Sequence, residues 1–261
     1  MNWYHEVNKD WLTARKLYLT ATDISKLVPA YKRSLKMDDD VIVPEFAALW
    51  AEKNTISEAD PKSFAAAARG HWMEPFAIDS WNQQREETMF HWDDAIIVKG
   101  RVGFSPDAMN ELQSLDAVEL LATQDGLLSG WGDTIPLPTS ILEIKSYEPA
   151  HHMKSCIKDA MDQDELVQLA VAFHVLDSLE KAYLVFFCPG APISMKAFEY
   201  TREDLKVEIE LVNKIVELYT KTIKQCEELS IDMVAKHTER EVYDAMIEEL
   251  ELNKRDNILG F

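Results

Sequence analysis

The apolar run at residues 182–188 most constrains what this chain of 261 residues can fold into. It reads Ala-Tyr-Leu-Val-Phe-Phe-Cys, and this unbroken series of aromatic and β-branched side chains predicts a buried strand. Further strands are predicted at 95–98, 102–104, 141–145 and 193–200. Helices are predicted at 11–15, 24–28, 44–53, 64–85 and 151–179. Because helices and strands follow one another along the chain, we expect a mixed α/β (α+β) fold.

The chain divides into a predicted core at 1–200 and a helical extension at 201–261. Two amphipathic helices, at roughly 203–228 and 231–251, are expected in the extension. Pro29 is expected to end the helix at 24–28, and Pro75 to kink or restart the helix at 64–85. Residues 108–140 contain several glycines and prolines, which favours a loop or an inserted lobe.

The overall charge argues against nucleic acid as a partner, but its distribution does not. The chain has 27 basic and 46 acidic residues, a net charge of −19. Phosphate binding relies on Lys and Arg, yet residues 1–36 carry seven basic residues against three acidic ones. A basic edge on an acidic body would still bind a polyanion locally; the alternative is a merely acidic, soluble surface.

Other features exclude several protein classes. The three cysteines are far apart and form no Cys-x-x-Cys pair, which argues against a zinc ribbon, an iron–sulfur cluster or a disulfide framework. No apolar run is long enough to cross a membrane, and residues 1–6 lack the features of a signal peptide. We therefore expect a soluble cytoplasmic protein without a membrane partner.

Charged side chains interrupt the apolar strand at 141–145. Side chains alternate between the two faces of a strand, so Glu143 and Lys145 share one face and Leu142 and Ile144 the other. A carboxylate and an ammonium on a short apolar strand are costly unless they have a partner or a task. The alternative is an edge strand with one face in solvent.

Two further carboxylates are candidates for the same site, one at a predicted strand end and one on a predicted helix. Asp107 follows Pro106 where a strand ends, and beside Glu143 it would form the hard-oxygen site that Mg²⁺ prefers. Lys145 would then hold or deprotonate an attacking water, or offset charge in the transition state. Glu74 lies in an aromatic helical segment. The alternatives are a turn-capping role for Asp107 and a solvated helix position for Glu74.

Five segments in this order carry a resemblance to a known family. They are Trp11-x-x-x-Arg15 followed by Leu19-Thr-Ala-Thr22, Gly70-x-x-x-Glu74, Ser105-Pro106-Asp107, Leu142-Glu143-Ile144-Lys145 and Val167-Gln168. Together the segments resemble the phage-type recombination exonucleases, the lambda exonuclease or YqaJ-like family of the PD-(D/E)xK nuclease superfamily. The resemblance implies a restriction-endonuclease-like core, with a central mixed sheet flanked by helices. The longer spacing between Asp107 and Glu143 departs from the family and would make 108–140 an insertion at the rim of the active site.

The resemblance also implies roles for individual residues. Asp107, Glu143 and the Ile144 carbonyl would hold Mg²⁺, with Mn²⁺ as an alternative, and Glu74 would bind a second ion directly or through water. Lys145 would activate the water and Gln168 would orient water or substrate. Arg15 and Thr22 match positions that bind a terminal 5′-phosphate, which suits an Arg fork and a hydroxyl beside a helix N-terminus. For Arg15 a surface helix position, and for Thr22 an N-cap, are the alternatives.

The activity implied by the resemblance is a metal-dependent 5′→3′ exonuclease on double-stranded DNA. Such an enzyme acts at DNA ends, leaves 3′ single strands for a single-strand annealing protein, and is a ring-shaped trimer in the family prototype. A phage-encoded chain would act in the cytoplasm of its bacterial host. The alternatives are an endonuclease of the same superfamily and a catalytically inactive DNA-binding module. His151 and His152 follow the strand, where a helix start or surface position is favoured over an approach to the scissile phosphate.

Overall fold

The computed structural model describes nine stretches of the chain. They are residues 17–38, 41–54, 64–91, 96–110, 121–123, 126–128, 134–135, 138–158 and 161–236. The predicted helix at 11–15, Arg15 included, lies outside them. None of the described helices is long and apolar enough to cross a membrane.

Six helices and ten strands are present in the described part of the chain. The helices are α1 (Ala21–Ser34), α2 (Pro44–Asn54), α3 (Phe64–Gln84), α4 (Pro149–Cys156), α5 (Gln163–Val175) and α6 (Lys206–Lys236). The strands of the central sheet are β1 (Phe90–His91), β4 (Ala108–Met109), β8 (Ser140–Lys145), β9 (Lys181–Phe187) and β10 (Met195–Thr201). Those of a second sheet are β2 (Ile96–Lys99), β3 (Val102–Phe104), β5 (Leu121–Thr123), β6 (Gly126–Leu128) and β7 (Thr134–Ile135).

The central sheet is mixed, in the order β1-β4-β8-β9-β10. Strands β8 and β9 are parallel, with Glu143 opposite Leu184, and every other neighbouring pair in this sheet is antiparallel. Helices α4 and α5 make the crossover between β8 and β9, as a parallel pair requires. The predicted mixed sheet flanked by helices is therefore confirmed.

Strand β9 explains the apolar run, because helices cover both of its faces. Ala182, Leu184 and Phe186 pack in one core with α1, α5 and α6. Tyr183, Val185 and Phe187 alternate with them and pack in a second core against α3. A strand buried on both faces has no polar face to alternate with, which is why the sequence shows no period of two.

The second sheet joins the N-terminal part of the chain to the centre. Leu19 bridges Val102, with hydrogen bonds to the backbone of Arg101 and Gly103. Gly103 has no room for a side chain, since an added Cβ would lie 2.9 Å from Cβ of Tyr18. The predicted hairpin between β2 and β3 is confirmed, and its turn places Gly100 at a φ of +59°, which favours glycine.

The expectation that Pro29 ends its helix was wrong, and the helix at Pro75 does not restart there, whereas a kink at Pro75 stays a prediction. Helix α1 continues through Pro29 to Ser34, and α3 runs from Phe64 to Gln84 with Pro75 inside it. In α1 the residues around the proline are buried, including Leu27, Val28 and Ala30. Tertiary packing of this face offsets the hydrogen bond that proline removes, and a local rule does not include that contribution.

Two helix boundaries were also wrong. The helix predicted at 151–179 is two helices, because Asp162 begins α5 with a capping box in which Glu165 accepts from the Asp162 N–H. The helix predicted to end at residue 228 continues as α6 to Lys236, through the predicted break at 229–230. Residues 237–251 of the second predicted helix lie outside the described part of the chain.

A nearly buried ion pair joins α1 to α2. Lys53 Nζ lies 2.7 Å from Asp23 Oδ2, and the two side chains are 12% and 14% exposed. Asp23 also accepts hydrogen bonds from the backbone N–H and the hydroxyl of Thr20 in the capping box of α1. Burial alone would raise the pKa of the Asp23 carboxyl, but Lys53 and Thr20 outweigh it and lower the pKa.

We expect Asp23→Asn to destabilise the fold by roughly 1–3 kcal/mol at pH 7, because it leaves Lys53 without its counter-charge. A carboxyl whose pKa is lowered by folding stabilises the native state above its unfolded pKa of about 3.9. The difference between variant and wild type should therefore shrink as the pH falls through the lowered pKa of the folded state. Urea unfolding at several pH values measures this difference in the free energy of unfolding.

Glu210→Gln, which removes the exposed pair with Lys214, is the control and should leave the midpoint of unfolding unchanged. An equal loss of stability at every pH would contradict the charge account.

Candidate active site

Strand β8 places the two charged side chains of the Glu-x-Lys segment on one face of the central sheet. Leu142 and Ile144 point to the other face and pack in the core against α3. Lys145 Nζ donates to Glu143 Oε1 at 2.7 Å and to Gln168 Oε1 of α5 at 2.6 Å. The Glu143 and Lys145 side chains are 14% and 20% exposed, so the solvated edge strand is not what the structure contains.

Asp107 is held at the start of β4, beside β8. Its backbone N–H donates to the Leu142 carbonyl at 3.2 Å, and its Oδ2 accepts from the Ile144 N–H at 2.6 Å. The N–H and C=O of one residue point to the same edge of a strand, so the Ile144 carbonyl also faces the β4 side and not β9. Asp107 therefore bonds to the neighbouring strand and does not merely cap a turn.

Negative charge exceeds positive charge in this cluster. Burial, followed by the charges of Glu143 and Glu74, raises the pKa of the Asp107 carboxyl well above its ordinary value. Burial alone would lower the pKa of Lys145, but Glu143 and Asp107 more than offset it and raise the pKa. The lysine is thus a stable ammonium that lies beside the carboxyl groups of Glu143 and Asp107.

Glu74 approaches the cluster from the opposite layer. It lies on α3, which covers the face of the sheet opposite to α5. Its Oε2 lies 3.4 Å from Nδ1 of His71, one turn earlier on α3, and 3.4 Å from Nε2 of His91 in β1. Burial would raise the pKa of Glu74, but hydrogen bonds with the two histidines lower it to about 2. Glu74 is therefore ionised and buried, not solvated.

Sequence reasoning missed the partners of Glu74 and the residue that aligns β4 with β8. The spacing of three residues from His71 to Glu74 was a usable helical signal, whereas nothing in the sequence indicated His91. Asn110 accepts from the backbone N–H groups of Thr139 and Ser140 and donates to the Thr139 hydroxyl. These bonds connect the end of β4 to the start of β8 across a long stretch of sequence, so the pairing was not apparent from spacing.

The donor set fits a divalent cation of the hard-oxygen kind. Asp107 and Glu143 supply carboxylates, the Ile144 carbonyl faces Asp107, and burial together with the neighbouring carboxylates Glu143 and Glu74 raises the pKa of Asp107 despite the charge of Lys145. Within the described residues, no group of three or more His, Cys, Asp or Glu side chains converges closely enough to hold an ion. A bound ion would therefore depend on two carboxylates, a carbonyl and water. Glu74 as a ligand of a second ion stays a prediction.

The structure brings together most of the residues singled out in the sequence. Asp107, Glu143, Lys145 and Gln168 form one cluster, with Glu74 as a charged neighbour. Thr22 is exposed in the first turn of α1, where Thr20 and not Thr22 is the N-cap. Arg15 lies outside the described residues, so Thr22 is the one residue of the predicted 5′-phosphate pair whose position is described.

Comparison with known proteins places this geometry in a known fold. No protein-family model and no curated protein sequence matches the chain. Among solved structures, the chain is similar to an alkaline exonuclease, LHK-Exo, from Laribacter hongkongensis, at 15% sequence identity and a TM-score of 0.58. A structure of LHK-Exo in complex with dAMP is similar at 16% identity, again with a TM-score of 0.58.

The likeness extends over most of the chain. Each alignment covers 88% of this chain and 100% of the other. The resemblance to exonucleases inferred from the sequence is thus confirmed at the level of the fold. This chain has the fold seen in the alkaline exonuclease LHK-Exo.

Proposed function

We propose that this protein is a Mg²⁺-dependent exonuclease that degrades double-stranded DNA from its 5′ ends. The observation that carries the proposal is the buried cluster of Asp107, Glu143, Lys145 and Gln168, with excess negative charge, in an exonuclease fold. Hydrolysis of a phosphodiester needs a cation site, a positioned water and positive charge next to the phosphate. The cluster offers residues for all three.

Lys145 acts as a charged donor in this proposal and not as a base. Its raised pKa keeps the ammonium protonated at neutral pH, so it has no lone pair with which to accept a proton. Held between Glu143 and Gln168, the ammonium donates towards the developing charge on the phosphoryl oxygens or towards the attacking water. Gln168 fixes the direction of that donation and would orient water or substrate with its remaining amide group.

The acidic residues supply the cation site. Mg²⁺, when bound, stabilises charge on the phosphate and lowers the pKa of a bound water. Asp107 and Glu143 would hold one ion together with the Ile144 carbonyl, with Mn²⁺ as an alternative ion. Glu74 would serve a second ion, and His71 and His91 hold its carboxylate ionised in the structure. A bound ion would offset the repulsion from Glu143 and Glu74, which after burial is the main cause of the raised pKa of Asp107.

Strand polarity in the proposal depends on the N-terminal segment. Thr22 is exposed in the first turn of α1, where a hydroxyl and free backbone N–H groups suit a phosphate. Arg15 would complete a 5′-phosphate site by a bidentate contact. The basic bias of residues 1–36 supports such a site within an otherwise acidic chain.

The wider setting follows from the resemblance alone. The 3′ single strands would pass to a single-strand annealing protein during DNA recombination, in a phage or prophage system. A homo-oligomer, by analogy a trimeric ring, would enclose the duplex, and the reaction would take place in the cytoplasm of the bacterial host.

Digestion of defined DNA tests the activity and its direction. With Mg²⁺, we expect linear duplex with 5′-phosphate ends to lose its phosphorylated strands first, 5′-hydroxyl ends to react more slowly, and closed circles to survive, because the cluster acts next to an end-binding site. EDTA should abolish the reaction. Gel analysis of end-labelled strands measures this. Nicked circles would establish the endonuclease alternative, and no cleavage with Mg²⁺ or Mn²⁺ would leave a DNA-binding module.

Removal of the lysine charge tests the catalytic cluster. Lys145→Met keeps most of the aliphatic chain but loses the ammonium, and we expect its rate to fall by about 10²–10³-fold, as for loss of one transition-state donor. The control is Lys181→Met, which removes a half-buried lysine, paired with Glu199, at the start of the adjacent β9. Initial rates of nucleotide release at saturating DNA measure both. A Lys145→Met enzyme with unaltered activity would overturn the mechanism.

Asp107→Asn tests the cation site without measuring activity. The amide still accepts from the Ile144 N–H, and it removes a carboxylate whose buried charge is repelled by its neighbours. In EDTA at pH 7.5 we expect the variant to melt about 2–4 °C above wild type, which corresponds to about 1 kcal/mol. Added Mg²⁺ should raise the melting temperature of wild type but not that of the variant. A variant that Mg²⁺ stabilises as much as wild type would exclude Asp107 as a ligand.

A further inference from the structure

Two aromatic rings stack directly beyond the end of β8, next to the proposed site. The rings of Tyr147 and His151 have centroids 4.1 Å apart and planes within 10° of parallel. Tyr147 follows Lys145 by two residues, so their Cα atoms are about 6.6 Å apart along an extended chain. Tyr147 packs against the core that contains α5, and its hydroxyl bonds to Glu165 of that helix, which places the stacked pair on the same side of the sheet as Gln168 and Lys145.

Tyr147, the inner ring of the stack, is held by contacts with the core and with α5. Tyr147 packs on Phe186 of the core, with centroids 5.9 Å apart, and its hydroxyl donates to Glu165 Oε1 at 3.3 Å. Glu165 lies on α5 one turn before Gln168, the residue that receives the hydrogen bond from Lys145. The same helix therefore positions both the catalytic lysine and the tyrosine under the stack.

His151, the outer ring of the stack, is exposed to solvent. His151 is exposed, whereas the adjacent His152 is fully buried, so the structure separates the two neighbouring histidines. Tyr147 covers one face of the His151 ring, and no other ring of the described residues stacks on it. Lys154 is exposed three residues later on the same side of α4 and adds a positive charge beside the ring. A flat ring face next to an ammonium is complementary to a nucleotide, which has a flat base and a phosphate.

We propose that His151, supported by Tyr147, stacks on the base of the nucleotide adjacent to the scissile phosphate, and that Lys154 contacts a phosphate of the same strand. The inference rests on the proposed nuclease function and adds residues that position the substrate. Stacking on a ring face tolerates every base, which suits an enzyme that degrades DNA of any sequence. A nucleotide held by its base cannot slide along the cleft, so its phosphate stays in register with Lys145.

Replacement of the ring tests the contact. His151→Ala should weaken DNA binding and raise KM about 10-fold, the usual effect of losing one base–aromatic stack, with a smaller effect on kcat. His151→Phe keeps a ring and should restore most of the loss, whereas His151→Gln keeps polarity and should not. Ile157→Ala is the control, because it removes an exposed apolar side chain at the end of the same helix. Fluorescence anisotropy of a labelled duplex, in Ca²⁺ in place of Mg²⁺, gives the binding constants.

An abasic nucleotide distinguishes stacking from a structural role. An abasic site next to the scissile phosphate should weaken binding by wild type about as much as His151→Ala weakens binding to normal DNA. If the ring and the base contact each other, the variant should lose no more affinity on the abasic DNA, because the interaction is already absent. A variant that is merely misfolded would show both losses multiplied.

The outcomes separate this inference from the proposed function. Suppose that the wild-type protein digests DNA. If the affinity losses from His151→Ala and from the abasic site then multiply, or if His151→Phe does not restore binding, the stacking contact alone is overturned. If the wild-type protein neither cleaves nor binds DNA, the proposed function and this inference are both overturned. If the two affinity losses are not additive in free energy and His151→Phe restores binding, both the proposed function and the stacking contact are supported.

Discussion

The ammonium of Lys145 is the interaction on which the rest of the site depends. It joins the central sheet to α5 by donating to Glu143 and to Gln168 at hydrogen-bonding distance. A buried carboxylate and a buried ammonium are tolerable only as a pair, since each offsets much of the cost of removing the other from water. Asp107 accepts a hydrogen bond from a backbone N–H, and Lys145 lowers its pKa by less than burial, Glu143 and Glu74 raise it. Among the described residues the site is therefore unfavourable for the Asp107 carboxylate, a condition that a divalent ion would relieve.

Two layers of helices meet the sheet at this point, and each contributes differently. Helix α5 lies on the face of Glu143 and Lys145 and supplies Gln168 and Glu165, which bond to Lys145 and Tyr147. Helix α3 covers the opposite face and supplies Glu74. The short strand β4 begins at the site, and the pKa of Asp107 is raised by burial and by carboxylates of the sheet and of α3, namely Glu143 and Glu74. A rigid sheet between two helical layers holds the charged cluster and the stacked rings in one arrangement.

Much of the fold was predictable from local pattern, and the errors have a common cause. The strands at 102–104, 141–145 and 182–188 and the turn at Gly100 were located well, because apolar runs and turn chemistry are local. The ends of the helices were not located well. Pro29 and Pro75 remain inside helices, and the capping box at Asp162 divides a segment that looked continuous. In each case packing or capping contributes more than the intrinsic preference of a single residue.

The sequence by itself determined the alternation of faces on β8, the candidate residues Asp107, Glu143, Lys145, Gln168 and Glu74, and the type of fold. Periodicity places side chains on a face, and the order of short motifs along the chain identifies a site. Only the tertiary structure decided which of these groups bond to one another, that His71 and His91 lie against Glu74, and that His151 is exposed on Tyr147 while His152 is buried. The physical reason is that hydrogen bonds, burial and pKa values depend on distances between residues far apart in the chain, and those distances exist only after the sheet and helices have packed.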